Sequence, residues 1–93
     1  MALISELFQS YSFSSQERFL QYVQIDTQSD PSSLSSPSTF KQKNLGKVLV
    51  QELISLGILN AEMDEFGYVY ASLASNVGQE VPGLFFCSHM DTS

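Results

Sequence analysis

Apolar residues recur at spacings of three and four in three stretches of this chain, and then the period changes. Leu3, Ile4, Leu7, Phe8 and Tyr11 form the first stripe, which predicts a short, weakly capped amphipathic helix. In SSQERFLQYVQIDTQSD, Ser14 and Glu17 have capping-box spacing, and Phe19, Leu20 and Val23 share a face with Tyr22 at its edge. This predicts a helix from about Gln16 to about Ile25. Thr39 and Gln42 repeat the capping-box spacing, and Leu45, Val48, Leu49, Leu53 and Leu56 follow with helical periodicity. The predicted helix runs from about Gln42 to Leu56, with Gly57 placed for a left-handed stop. Gly46 inside it lowers helix propensity by about 1 kcal/mol relative to alanine, and it permits close packing on a sheet.

Between the second and third stripes lies DTQSDPSSLSSPST, with two prolines and many serines. It cannot continue a helix and is long for an ordinary connection, so it is either a surface linker or a loop kept for function. After Gly57 the pattern alternates. AEMDEFGYVYASL reads as a β-hairpin turning near Phe66 and Gly67, with Val69, Ala71 and Leu73 on one face and Tyr68 and Tyr70 on the other. SNVGQEVPG supplies turn residues, and Leu84 to Cys87 form a short continuous apolar run, the pattern of an interior strand. Helix, helix, hairpin and strand suit the opening of an α/β sandwich. Its sheet would need helices on both faces, so the chain reads as incomplete.

At 93 residues the chain suits one small domain or a piece of a larger one. A chain this short buries only about 60–65% of the surface its unfolded form exposes. The apolar fraction of 43% is too high for wholesale disorder. Ten acidic residues against four basic ones give a net charge of −6, and Lys41, Lys43 and Lys47 form the only basic cluster. Nucleic-acid binding is not expected, because it needs a basic stripe. No apolar stretch is long enough to span a membrane, and the N-terminus lacks the basic region of a secretory signal. With Cys87 as the sole cysteine there is no internal disulfide, and a cytoplasmic protein is the default expectation.

Candidate chemistry gathers at the end, in GLFFCSHMDTS. His89 and Asp91 follow the apolar run directly, and on an extended backbone residues two apart point the same way. A neutral imidazole can give one ring nitrogen to a metal and donate from the other to a carboxylate, which fixes the ring and strengthens it as a ligand. The bland alternatives stand beside this: a structural histidine, and an aspartate that caps a turn. Cys87 is soft enough for zinc, yet within an apolar run it reads more simply as a buried small hydrophobe. Asp64 and Glu65 read as solvated turn acids. A zinc site needs at least three protein ligands, so this chain by itself is not expected to assemble one.

Five blocks in order, ERFLQYVQIDTQSD, PST, QELISLG, DEFGYVYASLASN and VPGLFFCSHMDTS, resemble the opening of tripeptide aminopeptidases of the M20 zinc metallopeptidase family. The resemblance runs from about Glu17 to Ser93. It implies that residues 1–93 are the N-terminal portion of a three-layer α/β sandwich catalytic domain, with an inserted dimerisation domain absent. It also implies two zinc ions in the intact site, with His89 as a ligand of one and Asp91 as the catalytic residue that steers that ring. The bridging aspartate, the glutamate base and the remaining ligands of the family lie downstream of this region. Phe40 and Lys41 depart from the family pattern, which usually has an acid and a glycine after the threonine. A dozen or so residues before the ERFL block are additional.

The expected activity of the full-length protein is metal-dependent release of the N-terminal residue from tripeptides, with homodimerisation through the inserted domain and no activity in the 93-residue chain alone. The competing expectation is a non-catalytic remnant, or a small domain that binds a partner through an uncovered sheet edge.

Overall fold

The computed structural model describes residue 6 and residues 14–93. The predicted Leu3–Tyr11 helix therefore lies outside the described residues, apart from Glu6, which is helical and exposed. Among the described residues, 14–22 are helical (α1), which takes in residues before the predicted start and stops three residues earlier than the periodicity predicts. Ser14 is inside the helix rather than capping it, and its hydroxyl accepts from Arg18 Nη1 at 2.7 Å. Phe19, Leu20 and Val23 are 62%, 51% and 58% exposed, so the apolar face of α1 is largely uncovered.

Helix α2 spans Gln42–Ser55, within one residue of the expectation. The predicted capping box takes a different form. Lys41 is the N-cap and makes no side-chain cap bond. The first-turn amides instead bond backward, Lys43 N to Phe40 O at 3.0 Å and Asn44 N to Lys41 O at 3.0 Å, which satisfies donors a cap would otherwise serve. Gln42 Nε2 meanwhile donates to Thr39 Oγ1 at 3.0 Å, side chain to side chain. The C-terminus closes as the glycine predicts. Gly57 has φ +95°, its N–H donates to Ile54 O at 2.9 Å, and Ile58 N donates to Leu53 O at 3.0 Å. These two bonds are the paired closure of a Schellman motif, with Leu53 and Ile58 in its apolar positions.

Strands β1 (Glu62–Met63) and β2 (Val69–Tyr70) form the antiparallel hairpin, with Glu62 opposite Tyr70 and Met63 opposite Val69. Asp64 organises the turn. Its Oδ1 accepts from the amides of Phe66 and Tyr68, each at 2.9 Å, while Gly67 takes φ +86°. Asp64 is thus half-buried and engaged rather than merely solvated, whereas Glu65 is exposed as expected. Beyond β2, the Asn60 amide brackets Ser72: Nδ2 donates to Ser72 O and Oδ1 accepts from Ser72 N, both at 3.0 Å.

Helix α2 lies on the hairpin at Gly46. A Cβ there would sit 2.6 Å from Met63 Sδ and 3.5 Å from Val69 Cγ2, so the glycine makes the close approach possible. Among the described residues Leu45 and Ala61 are the buried apolar side chains, at 6% and 8% exposure, and the core there is thin. Lys43 Nζ fastens the helix to the turn by donating to Glu65 O at 2.7 Å.

The predicted interior strand is not formed. Residues 71–91 contain no helix or strand, and Leu84, Phe85 and Phe86 are each 87% exposed. A strand exists only through hydrogen bonds to a neighbour, and no described segment lies alongside these three residues. Over residues 14–93 the structure is an α/β fragment with helices α1 and α2 and one small hairpin. Among the described residues no helix is long and apolar enough to cross a membrane.

Candidate functional site

The polar loop that follows α1 folds back onto the end of the chain. Ser29 N donates to Thr92 O at 2.8 Å, and Thr92 N donates to Thr27 O at 3.1 Å, forming a parallel bridge between Gln28 and Thr92. Thr27 is 3% exposed beneath this seam. Ser29 Oγ adds a second bond to Thr92 O at 3.1 Å.

The loop itself is a series of side-chain-to-backbone turns. Asp26 Oδ1 accepts from Gln28 N at 3.1 Å, and Asp30 Oδ1 accepts from Ser32 N at 3.0 Å. Ser38 Oγ takes the Asp30 amide at 3.0 Å, and Thr39 Oγ1 donates to Gln28 O at 2.9 Å. Aspartate and serine compete well for nearby amides, so this composition stabilises a defined loop without regular secondary structure. A polar cleft of about 410 Å³ lined by Gln28, Ser29, Asp30, Pro31, Thr39 and Lys41 opens beside the seam. The departures at Phe40 and Lys41 are surface contacts: Lys41 Nζ pairs with Asp26 Oδ2 at 3.0 Å, and Lys43 Nζ lies 4.9 Å above the Phe40 ring.

His89 and Asp91 meet on this seam. The Nδ1 of His89 lies 3.0 Å from Asp91 O and 3.1 Å from Asp91 Oδ1. A carbonyl and an ionised carboxylate only accept, so Nδ1 carries the hydrogen and, in the neutral ring, Nε2 holds a free lone pair. The His89 side chain is 84% exposed and that of Asp91 is 36% exposed. Hydrogen bonds from the Ser29 side chain and then from His89 hold the Asp91 carboxyl below the usual aspartate range. An imidazole oriented in this way is a neutral nitrogen ligand of the kind zinc accepts.

Among the described residues no group of three or more His, Cys, Asp and Glu side chains converges. Cys87 is free and exposed, not the buried hydrophobe its setting predicts. The H-x-D spacing alone brings His89 and Asp91 to attention. Thr27, Ser29 and Thr39, which hold their segment in place, are missed because nothing local in a serine-rich loop reveals what it docks against.

The chain is 54% identical over 77 residues to a peptidase T of Clostridium acetobutylicum, 53% to one of Aliivibrio fischeri and 49% to one of Geobacillus sp.. Each match covers 83% of this chain. Over that stretch the chain belongs to the peptidase T family. It spans 19% of the length of these peptidase T relatives. No family model matches the chain.

Proposed function

We propose that this chain supplies the N-terminal portion of the catalytic domain of a zinc-dependent tripeptide aminopeptidase of the M20 family. In that reading His89 binds one zinc through Nε2 and Asp91 orients the ring. The observation that carries it is the double contact of Asp91 with His89 Nδ1, which leaves the other ring nitrogen open. The name of the peptidase T relatives supports a peptide substrate.

When bound, zinc supplies Lewis acidity, polarising a peptide carbonyl and lowering the pKa of water. The chain's own contribution is preparatory. Asp91 keeps the hydrogen on Nδ1 and the ring angle constant, and the 27–29 segment keeps Asp91 in register with it. One imidazole falls short of the three or more protein ligands a zinc site takes, so the 93-residue chain alone is inactive in this reading. The remaining ligands, the glutamate base, the neighbouring strands of the three-layer sandwich and the inserted dimerisation domain come from outside it. The setting is cytoplasmic.

The test uses the natural gene product expressed to its own stop codon, with its intact mass, zinc content and tripeptide hydrolysis measured together. A product of full peptidase length should carry zinc, lose it on His89→Ala, and lose about 10–100-fold in activity on Asp91→Asn. Unchanged zinc stoichiometry in His89→Ala would sink the assignment. The uncovered Leu84–Phe86 run favours a second reading, a small partner-binding domain. A native mass matching 93 residues, with no hydrolysis of tripeptides, would favour that one.

A further inference from the structure

We propose that Ser29 is the positioning residue of the His89–Asp91 pair, its amide and hydroxyl together pinning the Asp91–Thr92 segment so that Asp91 stays on His89 Nδ1. The functional meaning of this proposal rests on His89 being a ligand, but its test does not.

The His89 ring has no packing to hold it, being 84% exposed, so its orientation depends on Asp91. Asp91 in turn sits in a stretch without regular secondary structure, and backbone geometry there needs an outside anchor. Ser29 provides one from 63 residues away. Thr92 O receives two donors from this one residue, the amide at 2.8 Å and the hydroxyl at 3.1 Å, which uses both carbonyl lone pairs. The hydroxyl has one hydrogen, and in donating it to Thr92 O it draws residues 91–92 toward the loop.

Ser29 is itself seated. Its preceding carbonyl, on Gln28, accepts from Thr39 Oγ1 at 2.9 Å, the Gln28 amide is held by Asp26 at 3.1 Å, and the next amide, on Asp30, is held by Ser38 at 3.0 Å. A side chain gripped on both flanks can transmit position, whereas one on a slack loop would follow its partner.

His89 is the only histidine, so the imidazole ¹⁵N spectrum of the 93-residue chain reports this ring alone. The ratio is read on the neutral ring. The wild type should show mainly the hydrogen on Nδ1. Ser29→Thr and Ser29→Val are equal in shape and differ in the hydroxyl. Ser29→Thr should keep the wild-type ratio, while Ser29→Val should move it toward Nε2–H by about threefold to tenfold, the fold-change of one modest hydrogen bond. Thermal melts followed by circular dichroism should show both variants folded, with Ser29→Val below Ser29→Thr by only the few degrees that one lost hydrogen bond costs.

Equal ratios in the two variants overturn the proposal, as does a wild-type chain with its hydrogen mainly on Nε2. The first result leaves the zinc reading of His89 standing. Conversely, full zinc retention by His89→Ala in the natural product removes the zinc reading and leaves the tautomer shift in place.

Discussion

The Tyr22 hydroxyl donates to Glu52 Oε2, joining α1 to α2 across 30 residues of chain. Arg18 Nε lies 3.9 Å from Glu52 Oε1, so one carboxylate holds two side chains of α1. Because the apolar face of α1 is mostly exposed, this polar contact carries much of the docking between the helices. Tyr22→Phe should therefore destabilise the chain by about 1 kcal/mol, read from chemical denaturation.

The same contact predicts behaviour in alkali. Desolvation first, and then the bond to Glu52, push the Tyr22 phenol up to about 12. A raised pKa favours the protonated form in the folded state. The stability it contributes is fully present below the ordinary tyrosine value near 10 and is lost as pH rises from about 10 toward 12. Melting temperature should fall more steeply through that window in the wild type than in Tyr22→Phe. Parallel curves would show that the phenol does not titrate as described.

Gly46→Ala brings a helix gain of about 1 kcal/mol into conflict with Met63 Sδ, 2.6 Å from the new methyl. Overpacking typically costs about 1–3 kcal/mol, so the net change should be destabilising by up to about 2 kcal/mol. Combining it with Met63→Ala should recover part of the Gly46→Ala loss, because the clashing sulfur is gone. Strict additivity in that double-mutant cycle would place the strain elsewhere.

Acid should loosen the loop before it melts the helices. Asp26 is held below its ordinary pKa by the Gln28 amide and then by Lys41, and Asp30 by its bonds from Ser32. A depressed carboxylate contributes stability above its unfolded value near 4 and loses it as pH falls through the folded value. Hydrogen-exchange protection at Gln28 and Ser32 should drop below about pH 4 while that of α2 persists. Asp30→Asn should weaken protection at Ser32 even at neutral pH.

Leu84, Phe85 and Phe86 lie in the open, and exposed apolar runs recruit hydrophobic probes and other chains. The wild type should bind an anilinonaphthalene dye and self-associate with rising concentration. Replacing all three residues with serine should remove most of the dye signal and change the melting temperature by only a few degrees, since they make almost no contacts. A large loss of stability would show that they are covered.

Much of the local structure was legible from residue types. Glycine at 57 and 67, leucine at helical spacing through α2, and alternation around Asp64 each act within a few residues, so the boundaries of α2 and the place of the hairpin turn follow closely, whereas β2 ends at Tyr70, short of the predicted Ala71 and Leu73. The capping boxes followed less well. Ser14 and Thr39 have the right spacing, but Ser14 bonds Arg18, and Thr39 donates to Gln28 O and meets the Gln42 side chain rather than its amide, because a hydroxyl bonds whichever group the fold brings nearest. The run from Leu84 to Cys87 departs from its pattern for a deeper reason. Its composition describes the environment a strand would occupy, and that environment must be built by other segments.

The residues alone determined that His89 and Asp91 could act together, since a spacing of two is a local property of the backbone. They also determined that the Asp26–Thr39 stretch would be neither helix nor strand, because prolines and side-chain acceptors exclude both. Only tertiary structure decided that this stretch returns to grip Thr92 through Ser29, and that Gly46 sits against Met63. Contacts between residues tens of positions apart depend on how intervening elements orient the chain, and no short-range pattern encodes that path.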